Sequence, residues 1–510
     1  MKVKTGVVGI VLDGFGLSDK KENNPVAKAK MPCLKRLMQM FPNTELEASG
    51  IAVGLPEGQM GNSEVGHLNL GAGRVVYQDY MRINNAIKNG ELAASPVLDK
   101  VFERVITSNS SLHLAGCVSD GGVHSSIEHL KYLIKLAVKR GVEKIYVHCF
   151  TDGRDTKVDS GKQFVQEIQS LLGRLGKGQV ATVIGRFYAM DREERWSRTQ
   201  TAFELIAFGR GTPTSPLMEF FNEIYKRKVS DEFIPAFVMS GYNGLKENDE
   251  LLFFNFRPDR MRQLTSAFAT KNFTCFNREP FPTIHVTTMC NYNDYQKNVN
   301  YIFGKDIPKN TLSERLSTLG LKQLKLAETT KYAHVTYYFN GGIEKPFKNE
   351  KRIMIESKFV DNFASFPQMR APEIADTACF ELEKKSYDFI LINFSNCDMV
   401  GHTGDFDACV KALDYVDKAL EKVVLTALKN NYVCVITADH GNIEDLSEST
   451  GRKTTHTTNP VPLIITDDEI KLKKGNFSLD SFAPTVLQLL QVYQPVEMTG
   501  KSLIKGEDDD

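Results

Sequence analysis

Short runs of apolar and β-branched residues recur along the whole chain. Nine such runs occur, at residues 7–12, 112–118, 144–150, 180–184, 251–256, 283–289, 388–394, 432–437 and 461–466. Their hydrophobicity is continuous rather than alternating, which is typical of strands covered on both faces, as in a parallel sheet. The pattern therefore predicts nine buried strands.

Between several of these runs, apolar residues recur with the spacing of an amphipathic helix. The segments "IEHLKYLIKLAVKR" at 127–140 and "DACVKALDYVDKALEKVVLTAL" at 407–428 each place their apolar side chains on one stripe. Strands that alternate with helices indicate an α/β fold.

Polar side chains follow seven of the predicted strands at the point where each strand ends. They are Asp13, His124, Arg154 with Asp155, Arg186, Arg257, Asp398, and Asp439 with His440. Open α/β sheets place their functional groups at the carboxyl ends of parallel strands. We therefore expect these residues to form one or more sites.

The strand-end residues fall into two chemical sets, and the sets predict the domain organisation. The first stretch and the last third of the chain supply Asp, Ser and His, whereas the middle supplies mostly Arg. If the first set converges, residues 1–76 and 310–510 form one α/β domain with a mostly parallel sheet, and residues 77–309 form a second α/β domain inserted into it. The segments "GRVVYQDY" and "GKDIPKN" are the predicted crossings.

Composition excludes several classes of partner. Lys plus Arg and Asp plus Glu number 63 each in 510 residues, so no global field favours nucleic acid or an anionic membrane. The first apolar run is broken by Asp13, which favours a strand over a signal peptide. The nine cysteines form no CxxC pair, and we expect reduced core thiols such as Cys149 and Cys434. We expect a cytoplasmic monomer with a disordered "GEDDD" tail.

Asp and His in the last third have the spacing of metal ligands. Asp398 and His402 are four residues apart, Asp439 and His440 are adjacent, and His456 follows. A mixed Asp and His set favours Zn or Mn over Ca, which prefers oxygen alone. Adjacent side chains usually point apart, so Asp439 and His440 suit two sites that share a wall.

Ser63, in "GQMGNSEVGHLNLGAG", is the candidate nucleophile. The segment resembles a phosphate cradle, but Glu64 follows Ser63 where a Walker-type loop combines Lys with Ser or Thr. A serine hydroxyl needs an adjacent base or a metal to react at neutral pH. Two metal ions would ionise Ser63 and clamp a phosphoryl group, and the glycines around it allow close approach of the backbone.

Nine motifs, in order along essentially the whole chain, resemble those of the cofactor-independent (2,3-bisphosphoglycerate-independent) phosphoglycerate mutases. They are "LDGFG", "GQMGNSEVGHLNLGAGR", "SDGGVHS", "FTDGRDT", "GRFYAMDR", "NFRPDR", "KYAHVTYYFNGG", "NCDMVGHTGD" and "TADHGN". That family belongs to the alkaline phosphatase superfamily. The resemblance implies an alkaline-phosphatase-like domain that holds the serine and two metal ions, with an inserted domain that binds the glycerate.

Matching motifs also imply residue roles. Two Mn²⁺ ions are implied, with Zn or Co as alternatives. Asp13, Ser63, Asp439 and His440 resemble the ligands of one ion, and Asp398, His402 and His456 resemble those of the other. The residues that match substrate contacts are His124, Arg154, Asp155, Arg186, Arg192, Arg257, Arg260 and Lys331. Arg side chains suit this role, because they bind phosphate and carboxylate bidentately.

The implied activity is interconversion of 3-phosphoglycerate and 2-phosphoglycerate through phospho-Ser63, with these two molecules as partners and neither nucleic acid nor membrane. Asp155 is the first choice for a general base, and His124 is the second. A metal-dependent phosphatase would share every metal ligand but would not need the Arg set. A phosphopentomutase would be expected to carry a different insert, and a non-catalytic binding module would be indicated by loss of a ligand or of the serine.

Overall fold

The computed structural model describes residues 4–214, 216–294, 296–448 and 451–506. Apart from Gly506, the predicted disordered tail lies outside these residues. The strands are β1 Gly6–Leu12, β2 Asn43–Glu47, β3 Leu112–Cys117, β4 Ile145–Thr151, β5 Gln179–Gly185, β6 Thr212–Thr214, β7 Phe237–Met239, β8 Glu250–Phe253, β9 His285–Cys290, β10 Val299–Phe303, β11 Gln323–Glu328, β12 Glu350–Ile355, β13 Phe389–Phe394, β14 Tyr432–Thr437, β15 Ser447–Glu448, β16 Gly451–Arg452, β17 Val461–Ile465 and β18 Phe477–Ser478.

The α-helices are α1 Pro25–Lys28, α2 Pro32–Met40, α3 Ser63–Ala72, α4 Asp79–Lys88, α5 Pro96–Thr107, α6 Ile127–Lys139, α7 Gly161–Leu175, α8 Arg186–Ala189, α9 Trp196–Phe208, α10 Leu217–Lys226, α11 Arg262–Ala269, α12 Leu312–Thr318, α13 Thr329–Ala333, α14 Ala371–Glu383, α15 Asn396–Gly401, α16 Phe406–Lys429 and α17 Phe482–Leu489. Short 3₁₀ turns lie at Gly50–Val53, Asp231–Phe233, Phe363–Ser365 and Leu479–Ser481, and a π-helical turn lies at His334–Tyr338.

The chain divides into two compact units. Unit 1 comprises Met1–Gln78 and Ile307–Asp510, and unit 2 comprises Asp79–Asp306. Both junctions fall within the segments predicted as crossings, two and three residues from the predicted boundaries. Each unit has its own apolar core.

Unit 1 is built on an eight-stranded sheet in the order β12-β11-β13-β1-β14-β17-β2-β18. The first five strands run parallel, and β17 pairs antiparallel with both β14 and β2. Every residue of β1, β13 and β14 is buried, which explains their continuous apolar sequences. The predicted α/β class with a mostly parallel sheet is therefore confirmed.

Unit 2 contains a second eight-stranded sheet, in the order β10-β9-β8-β3-β4-β5-β7-β6. The strands from β10 to β5 are all parallel to their neighbours, and β7 pairs antiparallel with β5. Unit 2 is therefore an α/β unit with its own sheet.

All nine predicted strands are present, but other strands are not visible in the apolar pattern. The clearest case is β11, "QLKLAE", whose six residues are all buried although three of them are polar or charged. Because Lys325 and Glu328 interrupt the apolar run, the pattern does not predict a buried strand there. The strand at 461–466 is present as β17 but is antiparallel, so a continuous apolar run does not by itself indicate a parallel neighbour.

Both helical segments quoted above fold as α6 and α16. Among the described residues, no helix combines the length and the apolar character needed to cross a bilayer. All nine cysteines carry free thiols, and Cys149 and Cys434 are buried as expected.

Candidate functional site

Three neighbouring strands of unit 1, β13, β1 and β14, end at the same edge of the sheet. Asp13 follows β1, Asp439 and His440 follow β14, and Asp398 lies on α15 just after β13. All four side chains are buried. Parallel strands bring their carboxyl ends together, and the chain uses this edge to collect its acidic residues.

His440 lies among the three carboxylates. Its Nε2 is 3.6 Å from Asp439 Oδ2, 3.8 Å from Asp13 Oδ1 and 3.9 Å from Asp398 Oδ1. Asp439 and His440 were expected to lie in two sites that share a wall, but only His440 belongs to two clusters, and Asp439 meets it in one of them. The two clusters, each with ligand atoms within 4.8 Å of one another, are Asp13, Asp439 and His440, and Asp398, His440 and His456.

Ser63 is the first residue of α3, whose N-cap Asn62 accepts a hydrogen bond from Val65 N. The Ser63 Oγ lies 2.9 Å from His440 Nε2 and 3.3 Å from Asp13 Oδ1. The first turn of α3 approaches Asp439 closely because residue 66 is glycine: a Cβ there would lie 2.5 Å from the Asp439 carbonyl oxygen. The sequence of α3 thus allows the serine to reach the carboxylates.

Lys331, on α13, contacts both the serine and the carboxylates. Its Nζ donates to Ser63 Oγ at 2.5 Å and lies 2.6 Å from Asp13 Oδ1 and from Asp398 Oδ2. Burial opposes its charge, but Asp13 and Asp398 outweigh burial and raise the pKa of Lys331. Lys331, which matches a substrate contact by motif, thus lies in unit 1, beside the candidate nucleophile.

Negative charge exceeds positive charge in this cluster. Burial opposes ionisation of Asp439 and Asp398. Cationic neighbours outweigh it, His440 for Asp439 when its ring is protonated and Lys331 for Asp398, so the pKa of each carboxyl is lowered. The pKa of Asp13 is instead raised, by its complete burial and by the nearby Asp439. One ammonium does not balance three buried carboxylates, which is the arrangement that a bound cation would relieve.

His402 and His456 extend the cluster on the Asp398 side. Their Nε2 atoms lie 3.1 Å from each other, and each lies 3.1 Å from Asp398 Oδ1. The Nδ1 of His402 is 2.7 Å from Thr454 O, and that of His456 is 2.8 Å from Gly61 O. A carbonyl only accepts, so each Nδ1 carries the hydrogen. In the neutral rings, each Nε2 then keeps its lone pair close to Asp398 and to the other Nε2, as in metal-ligating histidines.

The donor set therefore fits metal ions. Besides these histidine nitrogens, Asp439 Oδ2 is buried without a hydrogen-bond partner. His67 Nδ1 lies 3.2 Å from this oxygen, but it also donates to Ser63 O at 2.9 Å. Mixed imidazole and carboxylate ligands suit Zn, Mn and Co, and each predicted metal ligand lies in this one part of unit 1.

Four buried residues support the ligands, and none of them was predicted. His67 and Asn393 connect Ser63 and Asp13: Asn393 Nδ2 lies 3.0 Å from His67 Nε2 and donates to Asp13 Oδ2 at 2.7 Å. Asn442 donates to Asp398 Oδ1 at 2.8 Å, and Glu444 accepts from several loops. The available signals were Asn393 inside an apolar run and the polar "GNIE" after His440.

Unit 2 has a separate polar cluster at the carboxyl ends of β8, β3, β4 and β5. Arg186, which begins α8, is buried, and its Nη1 lies 2.5 Å from Asp152 Oδ1 and 2.6 Å from Asp155 Oδ2. His124 Nε2 lies 3.7 Å from the same Asp155 oxygen. Asp155, the predicted base, is therefore held between a guanidinium and an imidazole.

Asp259 is the second centre of this cluster. It lies 2.8 Å from Arg192 Nη1, 3.0 Å from Arg257 Nε and 3.8 Å from His124 Nδ1. Burial and the nearby Arg186 lower the pKa of His124 to about 4, so its ring is neutral at pH 7. Its Nδ1 is buried without a hydrogen-bond partner. Asp152 and Asp259 were not predicted, although both lie within the quoted motifs.

The two remaining predicted residues border this cluster. Arg260 donates to Met190 O at 3.2 Å. Burial, followed by the charges of Arg186 and Arg192, lowers the pKa of Arg260, which indicates that cationic groups crowd together here. Arg154 is half exposed, with Glu232 Oε1 3.6 Å from its Nη1. Such crowding of guanidinium groups is what an anion with several charged oxygens would stabilise.

Comparison with known proteins identifies the family. A family profile described as "BPG-independent PGAM N-terminus" matches residues 83–294. A 2,3-bisphosphoglycerate-independent phosphoglycerate mutase of Clostridium botulinum is 44% identical over 508 residues, covering 98% of this chain and 100% of the relative. That of Acetivibrio thermocellus is 45% identical over 507 residues, covering 98% and 99%.

Among solved structures, a phosphoglycerate mutase of Leishmania mexicana, determined at low cobalt concentration, is similar with a TM-score of 0.63 and 30% identity. The alignment covers 99% of this chain and 98% of that one. Because the similarity to these relatives extends over both units, the chain belongs to the family of 2,3-bisphosphoglycerate-independent phosphoglycerate mutases.

Proposed function

We propose that this protein interconverts 3-phosphoglycerate and 2-phosphoglycerate through a phosphoserine formed on Ser63, using two divalent metal ions and no 2,3-bisphosphoglycerate. The observation that carries the proposal is the surroundings of Ser63 Oγ. It lies at the start of a helix, within 3.3 Å of a histidine nitrogen, a lysine amine and a carboxylate. A buried serine with only a structural role does not need all of these groups.

The chain's own residues prepare Ser63 for attack. His440 Nδ1 lies 3.2 Å from Gly441 O, which places the hydrogen on Nδ1 and leaves the Nε2 lone pair, 2.9 Å from Ser63 Oγ, free to bind the proposed ion beside the serine. Lys331 donates to Ser63 Oγ and so stabilises negative charge on that oxygen. The N-terminus of α3 adds a favourable field for the alkoxide and for a phosphoryl group.

We propose that Asp13, Ser63, Asp439 and His440 hold one ion and that Asp398, His402 and His456 hold the other. When bound, such ions lower the pKa of a coordinated hydroxyl and neutralise phosphoryl oxygens. Two Mn²⁺ ions are our choice, with Zn²⁺ or Co²⁺ as alternatives. His440 belongs to both clusters, which supports two ions in this part of unit 1.

The proposed role of unit 2 is to bind the glycerate. His124, Arg154, Arg186, Arg192, Arg257 and Arg260 offer donors for a carboxylate and a phosphate, and Lys331 of unit 1 is the remaining proposed contact. Asp155 is the proposed general base for the glycerate hydroxyl, with the neutral ring of His124 3.7 Å away as the second candidate. A broad phosphatase would not need this cationic cluster, so the cluster favours the mutase over the phosphatase.

Two wider expectations complete the proposal. The nine free thiols support a reducing, cytoplasmic location. We also propose that the protein acts as a monomer on 3-phosphoglycerate and 2-phosphoglycerate, with neither nucleic acid nor membrane as a partner, in keeping with its zero net charge.

Acid-quenched reactions with ³²P-labelled 3-phosphoglycerate test the covalent intermediate. We expect label on the peptide that contains Ser63, no label in Ser63→Ala, and no label after the metal ions are removed with a chelator. Ser386→Ala is the matched control, because Ser386 is an exposed serine of unit 1 whose hydroxyl donates to Lys384 O. Label on a histidine peptide, or label that persists in Ser63→Ala, would refute the proposal.

A further inference from the structure

Glu444 is a fully buried carboxylate that accepts hydrogen bonds from three separate segments of unit 1. Its Oε2 accepts from Gly16 N at 3.0 Å and from Asn442 N at 2.9 Å. Its Oε1 accepts from Asn459 Nδ2 at 2.9 Å and from the hydroxyl of Thr457. Each oxygen therefore receives two donors, and the acceptor capacity of the carboxylate is well used.

Each of these segments also carries a proposed metal ligand. Gly16 is three residues after Asp13, Asn442 is two residues after His440, and Thr457 directly follows His456. The side chain of Asn442 continues the connection to Asp398 Oδ1 at 2.8 Å. Glu444 thus connects the loops that supply both proposed ions, although it contacts none of the ligand side chains.

The sequence leaves room for this carboxylate at two glycines. A Cβ on Gly16 would lie 2.4 Å from Glu444 Cδ, and a Cβ on Gly441 would lie 2.5 Å from Glu444 Oε1. Any larger residue at either position would displace the carboxylate or the loop. Two main-chain hydrogen bonds also join these loops: Ile443 N donates to Gly14 O, and Thr457 N donates to Gly441 O. Glu444 therefore adds side-chain hydrogen bonds between loops that the main chain already connects.

We propose that Glu444 is a positioning residue for both metal ions: it holds the loops of Asp13, His440 and His456 at the separation at which their side chains share ions. The inference rests on the proposed two-metal function. A charged acceptor is needed, because four donors converge on two oxygens. Glutamine in its place would direct an NH₂ group against two of those donors.

Metal affinity tests this role directly. Mn²⁺ is titrated calorimetrically into chelator-treated wild-type protein, Glu444→Gln and Asp445→Asn. We expect two ions in the wild type and a tenfold to hundredfold higher Kd in Glu444→Gln, the range typical for groups that support metal ligands. Asp445→Asn is the matched control: this neighbouring carboxylate accepts from Ser447 N and from the exposed Lys20 Nζ rather than from Gly16, Asn442, Thr457 or Asn459. Its Kd values should equal those of the wild type.

Thr457→Val keeps the side-chain shape, removes one donor to Glu444, and maintains the test if Glu444→Gln does not fold. We expect a higher Kd for one ion, on the His456 side, and an unchanged Kd for the other. Unchanged affinities in both variants, or a lower Tm with unchanged Kd, would make Glu444 a structural residue only and overturn the inference. A wild type that binds fewer than two ions would overturn the proposed function as well.

Discussion

At the scale of single residues, surroundings decide what an ordinary side chain can do. Ser63 is a neutral hydroxyl in isolation, but its oxygen accepts a hydrogen bond from Lys331 and lies 2.9 Å from His440 Nε2. The same holds for the arginines of unit 2. Arg186 is compensated by Asp152 and Asp155, whereas Arg260 has its pKa lowered by burial and by neighbouring cations. A bound anion would therefore stabilise the charge of Arg260 more than that of Arg186, which already has two carboxylate partners.

Arg260→Ala is expected to lower kcat/KM for 3-phosphoglycerate by about tenfold to hundredfold, because a charge-assisted contact to an anion contributes roughly 1.5–3 kcal/mol. The metal content should stay at the wild-type value, since Arg260 lies in unit 2. Steady-state kinetics and elemental analysis check both statements. Arg210→Ala, which breaks an exposed pair with Glu279 in the same unit, is the control and should retain full kcat/KM. Equal kinetics for the two variants would assign Arg260 a structural role.

At the scale of elements, close approach of backbones matters more than intrinsic propensity. Helix α3 begins at Ser63 and contains Gly66, which faces Asp439. Alanine favours a helix over glycine by up to about 1 kcal/mol, so propensity alone would predict that Gly66→Ala stabilises α3. The contact with the Asp439 backbone reverses that expectation.

Gly66→Ala should therefore lower both Tm and activity, because its Cβ would lie 2.5 Å from Asp439 O and would push Ser63 away from His440. The comparison variant is Gly173→Ala in α7, where a new Cβ meets no atom within 4 Å. It should raise stability by about 0.5–1 kcal/mol and leave activity unchanged. Thermal unfolding and mutase assays of the two variants decide the matter, and a stabilised, active Gly66→Ala would contradict the close contact.

A buried chain of hydrogen bonds links three neighbouring strands of unit 2, β3, β4 and β5, to Asp249, the residue before β8. His113 Nε2 lies 3.1 Å from Asp249 Oδ2, and His113 Nδ1 lies 3.0 Å from His148 Nε2. His148 Nδ1 then meets Thr182 Oγ1 at 2.9 Å. Burial lowers the pKa of both histidines, that of His148 well below its ordinary value. Both rings are therefore neutral in the folded unit at pH 7.

Acid should destabilise unit 2 through these two histidines. Above about pH 6.5 the rings are neutral whether folded or unfolded, so the stability is fully present. As the pH falls below that value, protons bind preferentially to the unfolded chain, and each histidine removes up to about 1.4 kcal/mol per pH unit for as long as its folded ring stays neutral. Urea unfolding followed by the fluorescence of Trp196, the single tryptophan and a residue of α9, reports on this unit.

His148→Asn should show a shallower loss of stability between pH 6.5 and pH 4.5 than the wild type, by up to about 1.4 kcal/mol per pH unit. His285→Asn, on β9 of the same sheet, is the matched control, because that ring lies outside this chain of hydrogen bonds. An identical pH slope for wild type and His148→Asn would show that the buried chain does not govern acid stability.

At the scale of the whole molecule, the two kinds of chemistry are carried by different units. Unit 1 holds the serine, the lysine and every proposed metal ligand, whereas unit 2 holds the arginine, histidine and aspartate cluster. A hydrolase needs only the first set. A mutase also has to retain the glycerate until the phosphoryl group returns to it, and we propose that the second set meets this requirement.

Doubly labelled 3-phosphoglycerate, carrying label in both phosphate and carbon, separates the two activities. In excess unlabelled glycerate, the product 2-phosphoglycerate should carry both labels together, and free phosphate should form far more slowly than product. Mass spectrometry of the product and a phosphate assay give the two rates. Scrambled labels, or phosphate released as fast as 2-phosphoglycerate, would favour the phosphatase.

The sequence by itself determined the α/β class, nine strands, and the residue types of the site, because apolar runs and the polar groups after them are local patterns. It did not reveal β11, whose buried Lys325 and Glu328 break the apolar pattern. Only the tertiary structure decided that Lys331 lies beside Ser63 and that Glu444 joins three ligand loops. Such contacts depend on strand order and on segments hundreds of residues apart, and residue spacing does not encode those distances.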